Sequence, residues 1–256
     1  MDKPNFNIAV LIDGDNAQPK LLGAMLEEVS KYGKATIRRI YGDWTQQQMN
    51  GWKDIINQYS FNPVQKFSYT SGKNSTDGAL IIDAMDILHG DKVHGFCIVS
   101  SDSDYTGLAK RIREEGIFMM GIGQKQTPKA FVQSCEIFTF SENILGVQVK
   151  SQDPENTETS AQAKPDKLDI SFIDKAFDIS SVEGEEEVYV SKLGLTLRKI
   201  DPSFDARAYG FKNLTQLFQS LPHYKVVRNE QNPVVQREIS TEPKRAPKRR
   251  PKKLNG

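Results

Sequence analysis

Cysteine and histidine are scarce in this chain. Two cysteines among 256 residues cannot build a disulfide framework. Cys97 lies in the apolar run Phe96-Cys97-Ile98-Val99 and reads as a small core residue, whereas the setting of Cys135 leaves its role open. His89, His94 and His223 are dispersed, so neither residue type offers zinc-ligand spacing. His89 and His94 flank a turn, and no Ser-His-Asp set is evident. No apolar stretch approaches the roughly 20 residues of a membrane helix. Met1-Asp2-Lys3-Pro4-Asn5 lacks the basic start and apolar run of a secretory signal. The expectation is a cytoplasmic protein without a membrane partner. A G-x-x-x-x-G-K-[ST] phosphate loop is also missing, as is any internal repeat.

Excess charge of either sign is absent too, because the formal net charge is +1. The distribution is nevertheless uneven. Residues 1–147 hold 15 Lys/Arg and 17 Asp/Glu, residues 148–243 hold 12 and 16, and Lys244 to Gly256 hold 7 and none. The basic charge is thus concentrated in a Pro-containing tail. Such a tail is either a solubilising segment or a phosphate-seeking arm with salt-dependent binding.

What is present is a rhythm of strands and helices. Ile8-Ala9-Val10-Leu11-Ile12 is a continuous apolar run suited to a strand covered on both faces. A helix opening at Pro19 and running to about Tyr32 follows, then a strand over 36–41 and helical spacing of Met49, Trp52, Ile55, Ile56 and Tyr59. The pattern continues with a short strand over 64–67, a helix over 76–89, a strand over 96–99 and a helix over 105–115. A strand over 117–122, a short helix over 128–134 and a strand over 137–140 complete it. This rhythm predicts an α/β domain, a Rossmann-like parallel sheet with helices on both faces, over 1–147. Residues 148–167 become polar and read as a flexible linker. A small second unit over 168–238 has three helices, one of them over 188–197, and a two-stranded wing at 224–228 and 234–235. That describes a winged helix-turn-helix. Residues 239–256 read as a disordered basic tail.

Acidic residues recur along the first domain. Asp13 ends the first buried strand in Ile12-Asp13-Gly14-Asp15-Asn16, and Asp102 follows a later one in Ser100-Ser101-Asp102-Ser103-Asp104. A parallel sheet gathers its strand ends along one edge, where ligands bind. Asp77 is in helical line with Ile81, Ala84, Met85 and Leu88, so its carboxylate should face inward. An inward carboxylate costs several kcal/mol unless it meets something charged, and the helix dipole offsets only about 0.3–1 kcal/mol. A cation shared by Asp13, Asp77 and Asp102 would compensate, and hard oxygen donors select Mg²⁺ or Mn²⁺. Simpler roles stand beside this one. Asp13 and Asp104 suit a turn or a helix cap, and Asp83 is either a rim ligand or a solvated helix residue.

These motifs resemble the NYN domain, a branch of the PIN-like, flap-nuclease-like ribonucleases. The matching pieces are Ile12-Asp13-Gly14-Asp15-Asn16, Lys73-x-x-x-Asp77 with Asp83, and Ser100-Ser101-Asp102-Ser103-Asp104-Tyr105. The resemblance implies metal-dependent RNA cleavage. Asp13, Asp77, Asp102 and Asp104 become catalytic and metal-site candidates, and Asn16 and Lys73 become candidates for positioning phosphate. Tyr105 stands where that family usually has Phe. The C-terminal unit resembles a LOTUS (OST-HTH) domain through Phe204-Asp205-Ala206-Arg207-Ala208-Tyr209-Gly210-Phe211-Lys212-Asn213-Leu214. This implies binding of RNA or a protein partner, with Arg207 and Lys212 as candidates for touching phosphate and Tyr209, Phe211 and Leu214 in the core. The resulting expectation is a Mg²⁺- or Mn²⁺-dependent ribonuclease acting on single-stranded RNA, with a protein partner or homo-oligomer through either domain. The rivals are a non-catalytic RNA-binding regulator and an aspartyl-phosphate phosphatase.

Overall fold

Apolar runs that alternate with amphipathic helices can bury both faces only as the middle layer of a sandwich. The computed structural model of the chain describes residues 6–66, 75–148, 167–181, 187–229 and 232–237 and has this arrangement. Its first domain runs β1 (Asn7–Asp13), α1 (Leu22–Ser30), β2 (Lys34–Gly42), α2 (Lys53–Tyr59), β3 (Asn62–Gln65), α3 (Ser75–His89), β4 (Gly95–Val99), α4 (Thr106–Glu114), β5 (Phe118–Gly123), α5 (Lys129–Ser134), β6 (Ile137–Phe140) and α6 (Ser141–Gln148). The sheet order is β3-β2-β1-β4-β5-β6, and all five pairings are parallel. The chain therefore winds outward in one direction from β1 and then in the other from β4. The reversal falls between these two strands.

Strand alternation sorts the core into two layers. Ala9 and Leu11 of β1 and Tyr41 of β2 pack with Leu80, Ala84, Leu108 and Phe131 from α3, α4 and α5. Ile8, Val10 and Ile12 pack with Leu22, Met25, Trp52 and Ile56 on the other face. Asp13 continues the odd-numbered series, on the face that α3 covers. Both cysteines are core residues, with Cys135 only 1% exposed, and burial pushes the Cys135 thiol up to about 12.

Two glycines are required by close approach. A Cβ on Gly14 would lie 2.8 Å from the Tyr41 carbonyl oxygen, where the Gly14 N–H donates a bond of the same length. A Cβ on Gly123 would lie 2.6 Å from the Ser100 carbonyl oxygen.

The second unit comprises α7 (Ile170–Ser180), β7 (Glu187–Tyr189), α8 (Val190–Ile200), α9 (Leu214–Ser220), β8 (Tyr224–Asn229) and β9 (Asn232–Arg237), with an antiparallel sheet in the order β7-β9-β8. The helices and strands form a small winged-helix unit. Its wing differs from expectation, because Val188 and Tyr189 are strand rather than helix and the sheet has three strands, not two. Their alternation explains it: Val188 is buried and Tyr189 is 47% exposed, a period of two at the helix entrance. In the first domain, β3 covers Asn62–Gln65 rather than 64–67, and Phe67 lies outside the described residues. No strand or helix was expected directly after β6, where α6 begins.

The two units touch along β6 and α1. Phe138 N–H of the edge strand β6 donates to the Pro202 carbonyl at 2.9 Å. The Arg207 guanidinium meets Glu28 of α1 at 2.5 and 3.1 Å and holds Asp205 beside it at 2.6 Å. Lys31 also reaches Glu28, at 2.6 Å. Burial alone would raise the Glu28 and Asp205 pKa values. The Arg207 guanidinium, with Lys31 at Glu28, outweighs it and holds both carboxyls below their ordinary values. Among the described residues, no helix is long and apolar enough to cross a membrane.

A group whose folded pKa is depressed contributes stability above its unfolded pKa and loses it as pH falls through the folded value. Arg207→Met should therefore lower unfolding free energy by about 2–5 kcal/mol near neutral pH, since it strands the Asp205 carboxylate and leaves buried Glu28 with Lys31 alone. The gap to wild type should be full where both carboxyls are ionised in the variant, begin to shrink above about pH 4.5 as burial makes the variant's carboxyls take up protons, and go on closing as pH falls through the lowered wild-type values. Denaturant melts of both chains across that range check this. A gap independent of pH would mean that Arg207 contributes packing rather than charge.

Candidate functional site

The candidate site lies at the carboxyl ends of β1 and β4, on either side of the strand-order reversal. There the outgoing chains part and leave a crevice. Asp13 is the last residue of β1 and only 1% exposed. Its Oδ1 accepts from the Asp15 N–H at 3.2 Å, and its Oδ2 accepts from Asn16 Nδ2 at 2.6 Å and Ser100 Oγ at 3.0 Å. Its carbonyl accepts from the Asn16 and Ala17 N–H groups at 3.2 and 2.9 Å, which folds the chain back toward α1. The turn is braced from outside. Trp52 Nε1 donates to the Gly14 carbonyl at 3.1 Å and Gln48 Nε2 to Asp15 at 3.0 Å. Asp13 is thus a turn residue, and it also presents a carboxylate at the sheet edge.

Ser100 couples this turn to the β4 loop. It is 2% exposed, its hydroxyl donates to Asp13, and its oxygen accepts from the Asp102 N–H at 3.0 Å. Asp102 caps the 3-10 turn Ser103–Tyr105 through the Asp104 N–H at 2.9 Å and is partly exposed. Ser101 Oγ accepts from the Gln124 N–H at 2.9 Å, which ties the β4 loop to the end of β5. Tyr105 is fully buried and packs on Phe131, so it fills an aromatic core position. Asp104 is exposed beside it.

The remaining predicted residues fall in different places. Asp77 lies in the first turn of α3. A crossover helix runs antiparallel to its strands, so that turn is at the carboxyl edge, and α3 packs on β1, β2 and the 3-10 turn after Asp102. The side chain of Asp77 and the whole of Lys73 lie outside the described residues. Asp83 is not a solvated helix residue. Arg39 pairs with it and the Tyr41 hydroxyl donates to it, both from β2. Burial first and Asp83 second raise the Tyr41 pKa well above its usual value. Asn16 donates to Asp13. Arg207, a candidate phosphate contact, has its guanidinium between Asp205 and Glu28, while Lys212 is exposed. Among the described residues, no group of three or more His, Cys, Asp or Glu is arranged to hold a metal. Asp13 and Asp102 offer carboxylate oxygens, the donor type that hard cations such as Mg²⁺ or Mn²⁺ take.

Sequence reasoning missed Ser100, Arg39, Tyr41 and Glu28. Two adjacent arginines, Arg38-Arg39, just before the buried end of a strand were a signal for a carboxylate partner. Glu28 is in helical line with Leu21 and Ala24, the same pattern that singled out Asp77. Asp43, just past β2, is a strand-end acid of another kind. Hydrogen bonds from Thr45, Gln65 and Gln46 hold its pKa down at about 2, and it organises the turn toward β3.

A doubly wound parallel sheet with carboxylates at its reversal defines a PIN-like α/β domain. Residues 7–142, more than half of the chain, match the NYN domain, and the chain belongs to that family. Residues 164–236 match the OST-HTH/LOTUS domain. The pairing places the chain among nuclease-superfamily proteins with an RNA-binding module. No curated protein matches the chain. Among solved structures, a protein of unknown function, VPA0982 from Vibrio parahaemolyticus RIMD 2210633, is 16% identical with a TM-score of 0.47, over 56% of this chain and 98% of that one. Catalytic domain 2 of a group II chitinase from Ostrinia furnacalis is 10% identical with a TM-score of 0.25, over 92% of this chain and 84% of that one.

Ser100→Ala removes one donor from a buried carboxylate and one acceptor from the Asp102 N–H. The expected cost is about 1–3 kcal/mol in a denaturant melt. A change within a few tenths of a kcal/mol would show that the two loops hold their positions without the hydroxyl.

Proposed function

We propose that the chain is a cytoplasmic, metal-dependent ribonuclease that hydrolyses phosphodiester bonds in single-stranded RNA. The observation that carries this is the Asp13–Ser100–Asp102 linkage across the strand-order reversal, with the first turn of α3 on the same edge. Asp13, Asp77 and Asp102 would hold Mg²⁺ or Mn²⁺, with Asp104 at the open side. When bound, the ion would activate a water and stabilise charge on the phosphate under attack. Ser100 orients the Asp13 carboxylate and spaces it from Asp102. Asn16 acts on Asp13 directly, so its part in placing phosphate would be indirect. Lys73 and Lys212 would meet phosphate, and the basic tail would capture RNA. Asp83, held by Arg39 and Tyr41, would brace α3 rather than bind the ion.

A non-catalytic RNA-binding reading draws on one observation, that the Asp13 carboxylate accepts bonds from the Asp15 N–H, the Asn16 amide and the Ser100 hydroxyl. Labelled single-stranded RNA incubated with the full chain separates the two. Cleavage should require Mn²⁺ or Mg²⁺ and stop with chelator. Asn caps a helix about as well as Asp, so Asp102→Asn should keep the melting temperature while cleavage falls by more than about 100-fold, beyond the usual effect of an outer partner of a metal ligand. Metal-independent RNA binding without cleavage in the wild type would favour the regulator. A phospho-enzyme on Asp13 would favour the phosphatase.

Capture should be separable from cutting. Each phosphate contact to a single strand contributes about 0.7 to the log–log salt slope. Deleting Lys244 to Gly256, with its seven positive charges, should flatten the slope markedly in the Asp102→Asn background. An unchanged slope would assign the tail to something other than RNA.

A further inference from the structure

We infer that the cleft between the two domains is a second phosphate-binding site, which holds the backbone of an RNA whose cleaved bond lies at the opposite edge of the sheet. This rests on the ribonuclease reading above and adds to it where the substrate is held.

The cleft encloses about 360 Å³, within the range of small-ligand sites. Lys31, Arg198, Arg207 and Lys212 line it, against only two acids, Glu28 and Asp205. Arg207 and Lys31 are already committed to those acids. The surplus therefore resides in Arg198 and Lys212. The Arg198 guanidinium is partly buried at the end of α8 and makes no hydrogen bond or ion pair among the described residues, although its charge acts on Asp205 and Tyr32. The Lys212 ammonium likewise has no hydrogen-bond or ion-pair partner among the described residues. A planar guanidinium with five unused donors in a partly dehydrated cleft matches a phosphate better than it matches water. Both surplus cations belong to the LOTUS domain, and Lys31 and Tyr32 of the NYN domain line the cleft with them.

Its position separates it from the acidic site. Tyr32 precedes β2 and Ile137 opens β6, so the cleft lies where strands begin, while Asp13 and Asp102 lie where strands end. The seven residues of β1 span about 20 Å at the usual strand rise. An RNA strand held in the cleft would thus be anchored away from the repelling carboxylates.

The test uses the full chain carrying Asp102→Asn, in chelator, so binding is read without cutting. Arg198→Gln and Lys212→Gln are compared with Lys225→Gln, which makes the same charge change at an exposed position of β8 outside the cleft. The ligand is a labelled single-stranded RNA of about 16 nucleotides, the upper end of common single-strand site sizes. Each cleft variant should weaken binding about fivefold and lower the salt slope by about 0.7, with the melting temperature unchanged. Affinities and slopes equal to those of Lys225→Gln would overturn the proposal. A mononucleotide arm distinguishes the phosphate source. If it raises the melting temperature of the parent but not of Arg198→Gln, while RNA affinity is the same in both, the cleft takes a free nucleotide and the RNA assignment fails. A chain that binds RNA through the cleft but never cuts would overturn the ribonuclease reading and leave the cleft standing.

Discussion

A carboxylate almost wholly removed from water must be met by donors, and the acidic edge of this protein is organised around that requirement at Asp13. Its position is dictated by strand alternation, because it continues the inward series Ala9 and Leu11 beyond the last paired residues of β1 and β4. The donors come from both neighbouring loops. The Gly14-Asp15-Asn16 turn supplies an N–H and an amide, and Ser100 supplies a hydroxyl. Because Ser100 also accepts from the Asp102 N–H, satisfying one buried charge fixes the spacing of two acidic loops. The glycines follow from the same geometry. Gly14 brings the turn against the Tyr41 carbonyl, and Gly123 lets the end of β5 close on Ser100.

The sheet was legible because its signal is strong. Continuous apolar runs at 8–12 and 96–99, bounded by polar turns, admit little besides buried parallel strands, and the β–α rhythm does the rest. What escaped detection has common physical causes. The strand Glu187–Tyr189 is three residues long and merges with a helix, so no local period separates them. Ser100 stood inside a recognised motif, but a serine carries no charge that would demand a partner. The acidic residues show how far strand-end position alone reaches. Asp13 and Asp43 both stand at strand ends, yet Asp43 is partly exposed and satisfied by its own turn and by Gln65, while Asp13 is enclosed and linked to a second acidic loop. Enclosure, which depends on the neighbouring strand, distinguishes them, and it cannot be read from either local sequence.

Arg207 shows a demand that local sequence does not announce. An arginine in a short 3-10 segment of a nucleic-acid-binding module suggests a phosphate contact. The competing demand came from the other domain, where Glu28 is buried on α1 and needs a cation. The two residues are far apart in sequence, and no period in either segment announces the pair. Charge complementarity between the domains outweighed the local expectation. In consequence the basic residues left for an external anion at the junction are Arg198 and Lys212.

The docking of the domains also answers a constraint internal to the sheet. An edge strand presents unpaired N–H and C=O groups to any passing strand, and proteins cover, charge or shorten such edges. β6 is an edge strand of four residues, and its Phe138 N–H is taken by the Pro202 carbonyl of the second domain. The Arg207 pair then holds that domain against α1. The same contact therefore shields an edge of the NYN sheet and places the LOTUS helices beside its strand-beginning side, away from the carboxyl ends of β1 and β4. Covering the β6 edge and keeping the described part of the second domain apart from Asp13 and Asp102 are thus satisfied by one arrangement.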